Sequence, residues 1–100
     1  MVVLGHQNCG AVQAFLESND ERHKDHIQNI VDYIASEEEI KLNIDSVKSN
    51  SELAVKVNAR HGVNLLKSST NVLKPLVDSG HLKIVGGYYD LGSGKVSFYE

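Results

Sequence analysis

The chain opens on an unbroken apolar run, Met1-Val2-Val3-Leu4, and then changes character at Gly5-His6-Gln7-Asn8-Cys9-Gly10. So short a continuous run predicts a strand buried on both faces in a parallel sheet, and the glycine-bounded segment predicts the turn out of it. Residues 11–17 place Val12, Phe15 and Leu16 at helical spacing. Ser18-Asn19-Asp20 breaks that pattern and offers an N-cap for the next helix. From Glu21 to about Ser36, Ile27, Ile30, Val31 and Ile34 recur at the helical period, with Arg22, Lys24, Asp25 and Asp32 on the opposite, solvated face. The acidic run Glu37-Glu38-Glu39 reads as a solvated start to a further turn or short helix, with Ile40, Leu42 and Ile44 turned inward.

Asn50-Ser51-Glu52 predicts another helix start, and residues 53–68 follow as the longest helix, with Leu53, Ala54, Val57, Leu65 and Leu66 as its core side. Gly62 costs that helix about 1 kcal/mol against Ala, which predicts a close neighbour for its backbone. Residues 70–79 read as a short helical segment holding Pro75 in its first turn or at a kink, with Gly80 as the stop. Residues 82–85 predict a second strand that runs on into Gly86-Gly87-Tyr88-Tyr89-Asp90. Gly92-Ser93-Gly94 is a turn, and residues 95–99 alternate so that Val96 and Phe98 face one way, which closes a hairpin.

The order β-α-α-α-α-β-β predicts an α/β fold: a small, mostly parallel sheet flanked by helices, with one antiparallel strand from the C-terminal hairpin, all within a single domain spanning residues 1–100. The first strand has no lead-in, and so apolar a strand expects neighbours on both sides. Both features suggest part of a larger sheet.

Composition removes several function classes. With 100 residues, 41% of them apolar, the chain has the material for one small soluble core. No apolar run approaches the roughly 18–20 residues that cross a bilayer, and no basic region precedes the opening four, so neither a membrane span nor a secretory signal is expected. A net charge of −3, with its ten Lys and Arg scattered, argues against nucleic acid. The single Cys cannot form an internal disulfide, which suits a reducing cytoplasm.

That Cys is the main chemical candidate. Cys9 stands three residues after His6 at the end of a strand. Thiolate and imidazole are the ligands zinc favours most, and a strand-to-helix turn can aim both at one point. Taken alone, Cys9 reads by default as a small buried apolar residue. His23 and His26 share a face of the predicted helix, a spacing that permits metal binding, but an exposed polar face is the better reading. Tyr88 and Tyr89 read as packing against helices, with a pocket-lining role as the alternative. The segment from Gly5 to Gly10 is no phosphate loop, because no Lys-Ser or Lys-Thr follows it.

The stretch from Val3 to Ala11 resembles the second zinc-ligand motif of the β-class carbonic anhydrases. Residues 80–98, with Gly-x-x-Tyr-Asp-Leu-x-x-Gly-x-Val at their heart, resemble that family's closing strand pair. Between them, Asn58, Val63, Leu66 and Ser68 fall where its long helix carries similar residues, whereas Gly62 and Leu65 depart from it. The family's other zinc motif, Cys-x-Asp-Ser-Arg, is absent from these residues, and with it a second thiolate and an Asp–Arg pair; so is a strand with an Asn-Ala-Gly turn that lines the substrate pocket. The resemblance implies metal ligands at His6 and Cys9, a turn that packs tightly at Gly10, and Zn2+ as cofactor. No catalytic Asp or Arg is assigned.

It also implies interconversion of CO2 and bicarbonate through zinc-bound hydroxide, at the water pKa of about 7 established for carbonic anhydrase zinc. The partners it implies are CO2/bicarbonate as substrate and a second copy of the chain in a homodimer or higher oligomer. With only two ligands, the chain alone is expected to be weakly active or inactive. The missing ligands could come from a second copy's His6 and Cys9, which would close a structural site. They could also come from another His, although spacing favours neither His61 nor His81, or the site could stand vacant. The alternative reading is a truncated, non-catalytic assembly module. Carbonyl sulfide or carbon disulfide hydrolysis would use the same zinc chemistry.

Overall fold

The computed structural model describes residues 1–18, 26–69 and 71–99. Its elements run β1 (Val2–His6), α1 (Gly10–Glu17), α2 (Ile27–Ser36), α3 (Glu38–Leu42), α4 (Ile44–Lys48), α5 (Ser51–Lys67), α6 (Leu73–Asp78), β2 (Val85–Asp90) and β3 (Lys95–Tyr99). The expected N-cap at Asn19 and Asp20, and the first turn of the helix starting at Glu21, lie outside the described residues.

The three strands form one mixed sheet in the order β1-β2-β3. β1 runs parallel to β2 with Val2 opposite Val85 and His6 opposite Tyr89, while β3 runs antiparallel with Asp90 opposite Lys95. Paired residues share a face. Val3, Gly86 and Tyr99 therefore lie on one side with Gly5 and Tyr88, and Val2, Leu4, Val96 and Phe98 lie on the other. The long helix α5 packs across the first side. A Cβ on Gly62 would come within 3.0 Å of Val3 Cγ1, so the mid-helix glycine marks the close approach that its cost implied.

The local signals hold where they rest on short-range chemistry. Asn50 caps α5 by accepting from the Leu53 N–H at 3.1 Å. Pro75 is the third residue of α6, where a missing N–H costs no helical bond, and Gly80 ends that helix at φ +82°. β2 begins at Val85, later than residue 82. The parallel ladder starts with the Val2–Val85 pair, so residues 82–84 lie ahead of it, with Ile84 buried in the core.

Several faces differ from the expectation. Val2 and Leu4 are 47% and 53% exposed, because among the described residues the helices cover only the α5 side of β1. Leu42, at 77% exposed, and Ile44 flank the Asn43 corner between two short helices, where Ile40 and Val47 make the inward contacts. Leu65 lies on the outer face of the last turns of α5, and Val55, Ala59 and Val63 complete the buried stripe with Ala54 and Val57. On α2 the buried side is Gln28, Val31 and Ile34, with Ile27 and Ile30 exposed.

Candidate metal centre

His6 is the last residue of β1 and lies on its open face. The ladder extends one residue further, with Gln7 N–H donating to the Tyr89 carbonyl at 2.9 Å. Asn8 then reverses the chain at φ +60°, a left-handed conformation that Asn tolerates better than most residues. Cys9 follows in extended geometry as the N-cap of α1, and its carbonyl accepts the first helical bond, from Gln13 N–H at 2.9 Å. An imidazole and a thiol are thus carried on one short turn between a strand end and a helix start.

Two contacts hold that turn. The His6 Nδ1 atom lies 3.0 Å from the Gln7 carbonyl oxygen. With the proton on Nδ1 donated there, Nε2 is left as a lone pair, the form in which imidazole binds a metal. Sequence reasoning named no such acceptor, because a backbone carbonyl leaves no mark in residue type. Gln7 Oε1 also accepts from the Gly92 N–H at 3.3 Å, which ties the turn to the β2–β3 hairpin, where the same N–H reaches Asp90 Oδ1 at 2.9 Å.

Cys9 also borders a cavity of about 140 Å³ between the starts of α1 and α5, lined in part by Asn8, Gln13, Glu52 and Tyr88. His6 is not among its lining residues. Tyr88 packs into the core, 7% exposed, and borders the cavity as well, so both sequence readings of this residue are realised. Burial pushes its phenol pKa up, and the charges of Glu52 and Asp90 push it further.

The donor types suit zinc, but their number does not complete a site. A catalytic zinc uses three protein ligands and a structural one four. Among the described residues no group of three His, Cys, Asp or Glu side chains is placed to hold a metal. Neither His61 nor His81 joins His6 and Cys9 in such a group: His61 meets Glu39 and Tyr33 instead, and His81 meets Ser79 Oγ at 2.7 Å. His26 is exposed, and His23 lies outside the described residues. A Cβ on Gly10 would meet none of the described atoms within 4 Å; the crowded glycine of this turn is Gly5, against Val55.

A family model described as carbonic anhydrase matches residues 1–96. Among solved structures, the β-carbonic anhydrase CcaA is similar at a TM-score of 0.79 and 24% identity, over 99% of this chain and 46% of that one. Tetrameric β-carbonic anhydrases from the filamentous ascomycete Sordaria macrospora are similar at 0.76 and 16% identity, over 97% and 50%. A point mutant of the β-carbonic anhydrase CafD from Aspergillus fumigatus is similar at 0.68 and 22%, over 99% and 56%. The chain thus spans about half the length of the structures it matches and carries their α/β fold over that span. With the family model covering all but its last four residues, the chain belongs to the carbonic anhydrase family.

Proposed function

We propose that this chain carries two ligands of a carbonic anhydrase zinc centre, His6 and Cys9, and takes part in interconverting CO2 and bicarbonate. The observation that carries the proposal is the His6–Gln7 contact, which leaves Nε2 free on the same turn as the Cys9 thiol. When bound in such a site, zinc lowers the pKa of water toward neutrality, which makes hydration of CO2 possible near pH 7. Cys9 supplies a thiolate, and His6 supplies a neutral imidazole held in one tautomer.

The remaining ligands come from beyond these two residues, so the chain alone is weakly active or inactive. The second edge of β1 has no partner strand among the described residues, and His6 lies at the end of the sheet's open face. Both features support a centre whose unfinished side is open to the approach of a further polypeptide segment. Self-association is part of the proposal, and the tetrameric state named for the Sordaria enzymes supports it. No helix among the described residues is long and apolar enough to cross a membrane, and a lone thiol fits a reducing compartment such as the cytoplasm.

The two-donor count favours one alternative, a module whose metal is structural or missing. Two copies pooling their thiolates and imidazoles would close the coordination sphere and leave no position for water. Zinc per chain, measured on protein purified without chelator together with CO2 hydration, separates the readings. Zinc that is lost in Cys9→Ser and His6→Ala, with hydration activity lost alongside it, supports the enzyme. Stoichiometric half-occupancy without activity supports the closed structural site. Folded protein that binds no zinc overturns the catalytic proposal.

A further inference from the structure

Away from the β1 turn, four side chains line up across α2, α3 and α5 in an order that the proposed reaction does not use. The Tyr33 hydroxyl of α2 lies 3.1 Å from His61 Nε2 of α5. The other ring nitrogen, Nδ1, lies 2.9 Å from Glu39 Oε1 of α3, and Asn64 Nδ2 donates to the second carboxylate oxygen at 3.1 Å. The two rings meet nearly edge to face, with centroids 5.8 Å apart and planes at 71°.

The proton positions follow from the carboxylate. Burial works against a charge on Glu39, but the hydrogen bonds from His61, its own backbone and Asn64 outweigh it, so this carboxyl is ionised at neutral pH. A carboxylate can only accept, so the neutral imidazole carries its proton on Nδ1 and leaves Nε2 as a lone pair. The Tyr33 O–H donates to that lone pair. The acidic run is not solvated throughout: Glu37, 3% exposed, accepts from the Asn58 amide at 2.7 and 2.9 Å, and it too feels the His61 charge.

The His61 and Glu39 side chains are only 18% and 16% exposed, whereas Tyr33 is 54% exposed. From the surface inward the order is hydroxyl, imidazole and carboxylate, the arrangement in which a base draws the proton from a nucleophile and a third group orients the base. A carboxylate behind the ring also stabilises the imidazolium that forms when the ring takes a proton.

We propose that Tyr33 is a nucleophilic tyrosine, a site of covalent acylation by activated acyl donors such as aryl esters, acyl phosphates or thioesters. Its phenol oxygen attacks the acyl carbon and forms the new O–C bond, while the phenol proton passes to His61 Nε2. The bond to the leaving group breaks, and its electron pair departs with the phenolate, phosphate or thiolate. The imidazolium then returns the proton to the leaving group or to water, and the product is an acylated Tyr33.

The test supplies p-nitrophenyl acetate to the whole chain, with free N-acetyltyrosinamide in the same solution, and locates the acetyl group by peptide mass spectrometry. Tyr33 is expected to be acetylated about 100-fold faster than the free phenol, within the range that positioned proton transfer supplies. The free phenol is fully exposed, so accessibility cannot produce that excess. His61→Gln should return Tyr33 to the rate of the free phenol. Acetylation of wild-type Tyr33 no faster than the free phenol overturns the proposal, and this comparison needs no variant to fold. An excess that survives His61→Gln overturns it as well, as does acetyl found on His61 in place of Tyr33.

Discussion

Gly5 lies so close to Val55 that a Cβ on it would stand 2.6 Å from Val55 Cγ1 and 3.3 Å from the Val55 carbonyl oxygen. This contact seats the end of β1, one residue before His6, directly on the long helix. Val55 is buried and β-branched, so it has little room to move aside. Gly5→Ala is expected to cost about 1–3 kcal/mol by overpacking, read from urea denaturation, and to weaken metal binding at the turn beyond it. Unchanged stability would mean that β1 can slide on α5.

Asn8 sets the turn between the two candidate ligands through its left-handed backbone. Asn8→Gly should leave stability within a few tenths of a kcal/mol, whereas Asn8→Val should lose about 1–2 kcal/mol, because a β-branched side chain resists positive φ. Equal denaturation midpoints for the two variants would show that the turn relaxes out of this conformation.

The Glu39–His61 pair, 2.9 Å apart, should make stability depend on pH in the acid range. Burial alone would raise the Glu39 carboxyl, but hydrogen bonds from His61, its own backbone and Asn64, with the nearby His61 charge, outweigh it and hold the pKa below the usual carboxylate value. A pKa lowered on folding contributes stability that is present above the unfolded value and is lost as pH falls through the folded one. Glu39→Gln should therefore melt lower than wild type near neutral pH, and the two melting curves should converge in acid. A constant gap across that range would assign the loss to packing.

Tyr99 fastens β3 to α5 by donating its hydroxyl to the Lys56 carbonyl at 2.9 Å, with its ring lying over Gly86. Tyr99→Phe keeps the ring and removes the hydrogen bond, for an expected loss of about 1 kcal/mol in chemical denaturation. A neutral substitution would show that water serves the carbonyl as well as the phenol does.

Much of this molecule was legible because the relevant physics is local. The Asn50 cap, the Gly80 stop and the hairpin turn near Gly94 each depend on a few neighbouring residues and stand where the pattern put them. Helical periodicity also found Val12, Phe15, Val31 and Ile34, all buried. It failed at Leu42 and Ile44, since spacing tells which residues share a face without telling whether anything covers it. The same limit applies to Glu37. In a run of three glutamates nothing distinguishes the one that folds inward, and only the packing of α2, α3 and α5 together makes that position an interior one.

What the sequence by itself determined is the chemistry at the β1 turn: an imidazole and a thiol three residues apart, at the junction of an apolar strand and a helix. That pairing needs only chain connectivity and turn geometry. The tertiary structure alone decided that Gly5 sits against Val55 of the long helix and that, among the described residues, the helices cover only one face of the sheet. Each of these depends on where the fold sets atoms in space, and residue types in order do not encode that at short range.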